Sequence, residues 1–326
     1  MSEGRAKKTV LFIFKVTVSV LAVAFLLSRL DIRNTFGFLA LSSKPLWLLS
    51  LLILVLSQVI SSYRWYLLLQ PLDFTLSWFR VFKIYFTGMF FSLFLPTVVG
   101  GDAVKTFYIA DNMKRAPSAF YTVLADRVIG MAGQQVFALA GVVLVWSYFP
   151  FWLSAGLFSF VLVYYVTIFL LPRLFTLVHT VVKKLRELPR EKLFIYWNRP
   201  DTVLKAWGLS LVIHLCVTIC HILIGVSLGF KIPIAAYMVV YPVSAIVATL
   251  PLSLNGIGLR EAAYVYMLGF FGVGSEEAFA LGLMWFSIVL LNGAIGGIPY
   301  LFGGQLKLDE IRKGTTMANI NGSSTN

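Results

Sequence analysis

Residues 250–261 read L-P-L-S-L-N-G-I-G-L-R-E, and the reading of this stretch decides the fold. Strongly apolar runs flank it at 233–250 and 262–273, where a membrane helix would pass unbroken. Instead the chain places Pro251, Asn255, Gly256 and Gly258 there, followed by adjacent Arg260 and Glu261. Residues 95–105, L-P-T-V-V-G-G-D-A-V-K, echo it. With Pro96 laid on Pro251, Gly101 falls on Gly256 and Lys105 on Arg260, although Asp102 and Glu261 do not align. Paired Gly/Pro interruptions in the two halves of a membrane chain point to a transporter's substrate site.

Composition sets the environment. The chain is 59% hydrophobic and 13% charged, with mean hydropathy +0.86, whereas soluble domains carry about 25% charged residues. It reads as a polytopic membrane protein. Its 27 Lys+Arg against 14 Asp+Glu are accounted for by positive-inside loops facing anionic lipid, without a nucleic-acid partner. Cys216 and Cys220 share one apolar run, so no disulfide framework is implied. The basic start M-S-E-G-R-A-K-K precedes an apolar run long enough to span and without an A-x-A site, which reads as a retained first helix.

The expected fold is all-α, with six full spans at about 9–28, 46–69, 118–146, 150–171, 203–228 and 278–303. Regions 81–110 and 233–271 add two broken, re-entrant helix pairs related by an inverted pseudo-repeat. The membrane domain covers 1–303: a first half to about 171, a linker at 172–202 and a second half from about 203. In the linker, Leu174, Val178, Val181, Leu185 and Leu188 recur at helical spacing among lysines and arginines, as on a helix lying on an anionic leaflet. Residues 304–326 read as a disordered cytoplasmic tail.

Loop charge orients the chain in the cytoplasmic membrane. Arg5, Lys7 and Lys8 place the N-terminus in the cytoplasm, and the base-rich segment from Arg173 to Lys205 belongs there too. Span counting between them works if 81–110 dips in and returns to the cytoplasm, while 233–271 does the same from outside. Both termini are then cytoplasmic, with 112–117 inside and 272–277 outside. Eight complete spans, each break being a surface loop, also satisfy the lengths.

Charges at membrane depth mark pathways or partners. Arg64, Asp102 with Lys105, Asp126 with Arg127, and Arg260 with Glu261 form four such clusters. Gly100 and Gly101 open a half-helix on which Asp102 suits the N-cap and shares a face with Lys105. Asn255, Gly256 and Gly258 begin a second. Exposed N–H groups at such starts attract anions, and Lys105 or Arg260 adds a full charge. The competing reading is that these groups pair with one another as structural ion pairs. His214, Cys216, Cys220 and His221 do not converge on one helical face, so they read as packed core, with no metal site. No cofactor motif is present.

Four stretches resemble a known family: R-W-Y-L-L-L (64–69), L-P-T-V-V-G-G-D-A-V-K (95–105), D-R-V-I-G (126–130) and P-L-S-L-N-G-I-G-L-R-E-A (251–262). They look like the flippase-like membrane domain of lysylphosphatidylglycerol synthases, from the first helix to about residue 303. The family often has arginine where Lys105 stands, and lysine lacks the bidentate fork. The resemblance implies a stand-alone domain that moves a polar lipid between leaflets, without the soluble acyltransferase domain, so a separate lipid-modifying enzyme is a possible partner. The implied cargo is an anionic phospholipid or a polyprenyl-phosphate-linked group, held by Arg260 and Lys105. Asp102, Glu261, Asp126 and Arg127 would exchange partners, and Arg64 would line the cytoplasmic entrance. Two other functions stand beside this one: an integral-membrane transferase acting on lipid headgroups, and a non-transporting scaffold for a partner transferase.

Overall fold

The computed structural model describes residues 2–95, 100–110, 115–181, 194–250 and 252–302. Pro96, Pro251, the linker stretch 182–193 and the tail 304–326 lie outside them. Among the described residues the chain is helical, without strands. The long elements are α1 (Ser2–Arg29), α2 (Ile32–Leu41), α3 (Lys44–Leu69), α4 (Trp78–Phe94), α5 (Gly100–Ile109) and α6 (Ala116–Leu144). The second half adds α7 (Phe151–Val181), α8 (Pro200–Ser227), α9 (Ile234–Thr249), α10 (Leu259–Gly269), α11 (Ser275–Ile295) and the short α12 (Ile298–Phe302). Five of the described helical stretches are long and apolar enough to cross a membrane: Lys44–Leu72, Ala116–Leu144, Phe151–Leu171, Pro200–Ser227 and Ser275–Leu301. The expected first span falls in α1, whose described apolar part, Val16–Arg29, is shorter.

Two features differ from the sequence reading. Helix α2 was not expected; Asp31 caps it, accepting from the backbone N–H groups of Arg33 at 2.9 Å and Asn34 at 3.2 Å. The linker does not begin as a separate helix, because α7 runs without a break to Val181. Helix α7 lies at the periphery, with Phe151, Leu162 and Phe169 exposed by 86%, 64% and 70%. In a lipid solvent such a surface is satisfied, and the helix satisfies its own backbone.

Helices α3 and α8 form an antiparallel pair at the centre. Contacts run from Ser43–Ser227 through Ser50–Cys220 to Arg64–Ser210, one sequence rising as the other falls. One apolar cluster, with Leu51, Leu54, Val217, Ile224, Met267 and Ile288, fills one end of this pair. A second, with Trp65, Leu68, Val81, Ile84, Ile109 and Tyr121, fills the other. Between them α3 carries Ser57, Ser61 and Arg64, α6 carries Asp126 and Gln134, and α8 carries Ser210 and His214, all buried. The bundle therefore has a polar layer halfway along its helices.

Both broken regions are helical hairpins, as expected. Helix α4 folds back on α5: the Arg115 Nη2 donates to the Asp73 carbonyl at 2.7 Å, so the hairpin leaves and returns at one end of the bundle. The α9–α10 hairpin enters between the end of α8 and the start of α11, at the opposite end, where Ser227 meets Ser43. Their tips touch. The Asn255 amide donates to the carbonyls of Ser92 at 3.2 Å and Leu95 at 3.5 Å, covering acceptors that the end of α4 leaves open. The two hairpins thus start from opposite ends of the α3–α8 pair.

The second tip is tied down by α1. The Leu254 N–H donates to Ser19 Oγ at 2.8 Å, and Gly258, at φ +84°, sits against Ala22, where an added Cβ would lie 2.7 Å from the Ala22 Cβ. Gly258→Ala is expected to lower stability by about 1–3 kcal/mol from the backbone alone, with the steric contact added. Thermal unfolding in detergent measures the sum, and an Ala22→Gly background should restore only the steric part.

Candidate functional site

The candidate site is built by the polar layer and the two hairpin tips. A first cavity of about 310 Å³ is lined by Arg64, Asp102, Lys105, Asp126, Arg127 and His214, among others. Helix α3 supplies Arg64, whose Nε donates to Asp126 Oδ1 at 2.8 Å and whose Nη1 donates to Ser210 Oγ at 2.8 Å. Helix α5 supplies Asp102 and Lys105. Arg127 Nε donates to Asp102 Oδ2 at 2.7 Å, and Lys105 Nζ lies 2.9 Å from Asp102 Oδ1 as an ion contact. The Lys105 ammonium also sits over the ring of Tyr85 at 4.5 Å, an attraction of about 0.5–2 kcal/mol depending on desolvation.

The stretch D-R-V-I-G on α6 is explained residue by residue. Asp126 and Arg127 are adjacent in sequence yet serve different partners, Arg64 and Asp102. Gly130 clears space for the guanidinium of Arg64, since a Cβ there would stand 3.2 Å from both terminal nitrogens. Its carbonyl accepts from His214 Nε2 at 2.9 Å. Because that nitrogen faces a carbonyl it carries the proton, and Nδ1 is left to accept from the Tyr241 hydroxyl at 3.3 Å.

A second cavity, of about 240 Å³, is lined by Arg260, Asn255, Tyr241, Tyr264, Thr249 and Trp285, among others. Asn255 adopts the left-handed φ of +49° that asparagine tolerates. Its carbonyl accepts from Arg260 Nη2 at 3.0 Å while its amide holds the end of α4. Among the described residues Arg260 has no ion-pair partner. Glu261 does not pair with it; its carboxylate accepts from the Gly258 N–H at 2.7 Å and so caps α10 from within.

Lys105 and Arg260 therefore line separate cavities, divided by two hydrogen-bonded pairs, Asn255–Ser92 and Tyr241–His214. Two sequence readings are corrected here. Asp102 lies in the first turn of α5 with its carboxylate in ion pairs, so it is not an N-cap. Gly101 lies inside α5, but its aligned partner Gly256, at φ +79°, precedes α10, so the two copies do not keep register. Arg64, 6% exposed, lines the first cavity while paired with Asp126. His214 is buried, as read, and also borders the first cavity. Tyr85, Tyr241 and Trp285 were missed, because an aromatic residue in an apolar run carries no local sign that it faces a cavity.

A helical bundle with apolar outer faces, a buried polar layer and charged cavities at two broken hairpins defines a multi-pass membrane protein. The family model of the lysylphosphatidylglycerol synthase transmembrane region matches residues 12–297, and the chain belongs to that family. It is also similar to a UPF0104 membrane protein of Methanocaldococcus jannaschii, 21% identical over 304 residues, covering 85% of this chain and 89% of that protein.

Proposed function

We propose that this protein moves a phosphate-bearing lipid across the cytoplasmic membrane, the headgroup passing through the two cavities while its chains stay in lipid. The supporting observation is the meeting of the two hairpin tips at Asn255, with a charged cavity on each side of the contact. Irregular backbone at membrane depth is tolerated where it lines such a cavity. Arg260 is the primary phosphate ligand, because among the described residues its guanidinium is held by one carbonyl and no carboxylate. Lys105, Asp102, Arg127, Arg64 and Asp126 form a second polar station whose ion pairs can exchange partners as an anion arrives.

Purified protein in liposomes containing headgroup-labelled phosphatidylglycerol tests this. The label in the inner leaflet should become accessible to an impermeant quencher, and accessibility equal to that in protein-free liposomes refutes the reading. The proposed orientation has its own test. Single cysteines at Thr75 and Ser275, both exposed, on a background lacking Cys216 and Cys220, should label from opposite sides, with Thr75 cytoplasmic. Labelling from one side contradicts the opposed entry of the two hairpins.

A further inference from the structure

A groove of about 290 Å³ between α2, α3 and α11 lies apart from both cavities. Leu39, Trp47, Leu283 and Met284 form its apolar wall. Its other polar groups are spent within the fold. The Trp47 indole N–H donates to Ser287 Oγ at 3.0 Å, and the Ser287 hydroxyl donates to the Met284 carbonyl at 2.7 Å. The Ser42 hydroxyl donates to the Leu39 carbonyl, also at 2.7 Å. Lys44 is different. It lines the groove and is exposed, and among the described residues its ammonium has neither a hydrogen bond nor an ion pair.

Lys44 opens both α3 and its apolar stretch, Lys44–Leu72, so it stands where that helix leaves lipid for the headgroup layer. We infer that the groove seats one anionic phospholipid of the leaflet at the Ser43–Ser227 end, its phosphate on Lys44 and part of one chain against Leu39, Leu283 and Met284. A phosphodiester supplies the partner that the ammonium lacks, and lysine binds it as a point charge. The apolar wall suits a chain and offers no free donor to a water-soluble anion. A zwitterionic phospholipid brings its own ammonium beside Lys44 and gains less. Helix α11 is the partition between this groove and the second cavity: Met284 and Ser287 line the one, Trp285 and Val289 the other. The seated lipid is therefore a bound companion outside the proposed transport path, bracing α11 against α2 and α3.

The experiment is photolabelling of the full chain in phosphatidylcholine nanodiscs. Phosphatidylglycerol or phosphatidylcholine, each with a diazirine at the same place in one chain, is included at the same small fraction, and adducts are mapped by peptide mass spectrometry. Adducts on 39–47 and 283–287 should be about threefold more abundant from phosphatidylglycerol, the scale of an exposed ion pair. Equal labelling by the two lipids means ordinary contact with bulk lipid and overturns the inference. Inorganic phosphate at constant ionic strength should leave the labelling unchanged; competition by it reassigns Lys44 to a free anion and overturns the lipid site. Lys44→Gln should abolish the preference and Lys44→Arg should keep it, while Leu39→Trp fills the groove and should lower labelling of 283–287 by both lipids. Folded variants that label like the parent overturn the assignment to this groove, and the two lipids compared on the parent chain decide the matter without any variant. Flipping is a separate readout: Lys44→Gln should flip lipid at the parental rate, and loss of flipping would place this lipid on the transport path and overturn its part as a companion.

Discussion

Replacing Asp126 by asparagine should destabilise this protein by about 3–5 kcal/mol, the cost of stranding one member of a buried ion pair. Asp126 is 3% exposed and Arg64 6%, and the bond between them, at 2.8 Å, ties α3 to α6 in the middle of the polar layer. Asparagine keeps the shape and removes the charge, so Arg64 is left with Ser210 and the Gly130 backbone for company. Arg64→Gln together with Asp126→Asn removes both charges and should recover most of the loss, since the desolvation of the pair is then also removed. Thermal unfolding of the single and double variants in one detergent measures the cycle. A single variant as stable as the parent would show that Arg64 is solvated where the structure has it buried.

Gly101→Val should also be damaging, by a different route. Gly101 lies where α5 crosses α4, and any Cβ there would overlap Ser92 Oγ and the Gly88 carbonyl. Gly88 faces the same crossing, with Lys105 Cγ at 2.7 Å and the Gly101 carbonyl at 2.9 Å from its own would-be Cβ. Small residues on both helices permit this approach. A branched side chain forces the hairpin apart, at about 1–3 kcal/mol or more for overpacking. Separating the hairpin also moves Lys105 away from Asp102 and Tyr85, so the first cavity loses its shape. Ser92→Ala relieves the hydroxyl but not the carbonyl, and should rescue little. A Gly101→Val protein with parental melting temperature and lipid retention would contradict the close crossing.

The parts legible in the sequence are those set by local composition. Run length located the five described stretches long and apolar enough to span, and Leu-Pro with following glycines located both breaks, because a helix cannot continue through such residues without losing backbone bonds. Loop bases suggested entry of the two hairpins from opposite faces, which the cysteine-labelling experiment tests. Pairing was not legible. Asp126 and Arg127 look like one unit in sequence, but adjacent residues on a helix point about 100° apart, so each meets a different neighbour. Which neighbour depends on how α3, α5 and α6 pack. The second motif misled in register, since the left-handed Asn255, Gly256 and Gly258 form a turn before α10, whereas Gly101 already lies inside α5. Glu261, read as a charged ligand, is consumed by capping that helix.

The central claim is that Arg260 holds the phosphate of a lipid in transit, and flipping by Arg260→Gln tests it most directly. Asn255 holds Arg260 through one backbone carbonyl, and among the described residues no carboxylate is hydrogen-bonded or ion-paired to it, the neighbouring Glu261 being bonded to the Gly258 N–H instead. Neutralising Arg260 should therefore leave the melting temperature near the parent's. In liposomes with headgroup-labelled phosphatidylglycerol, Arg260→Gln should reduce flipping to the protein-free rate, and Arg260→Lys should keep part of it, since the charge remains while the planar fork is lost. A stable Arg260→Gln protein that flips lipid at the parental rate would contradict the account.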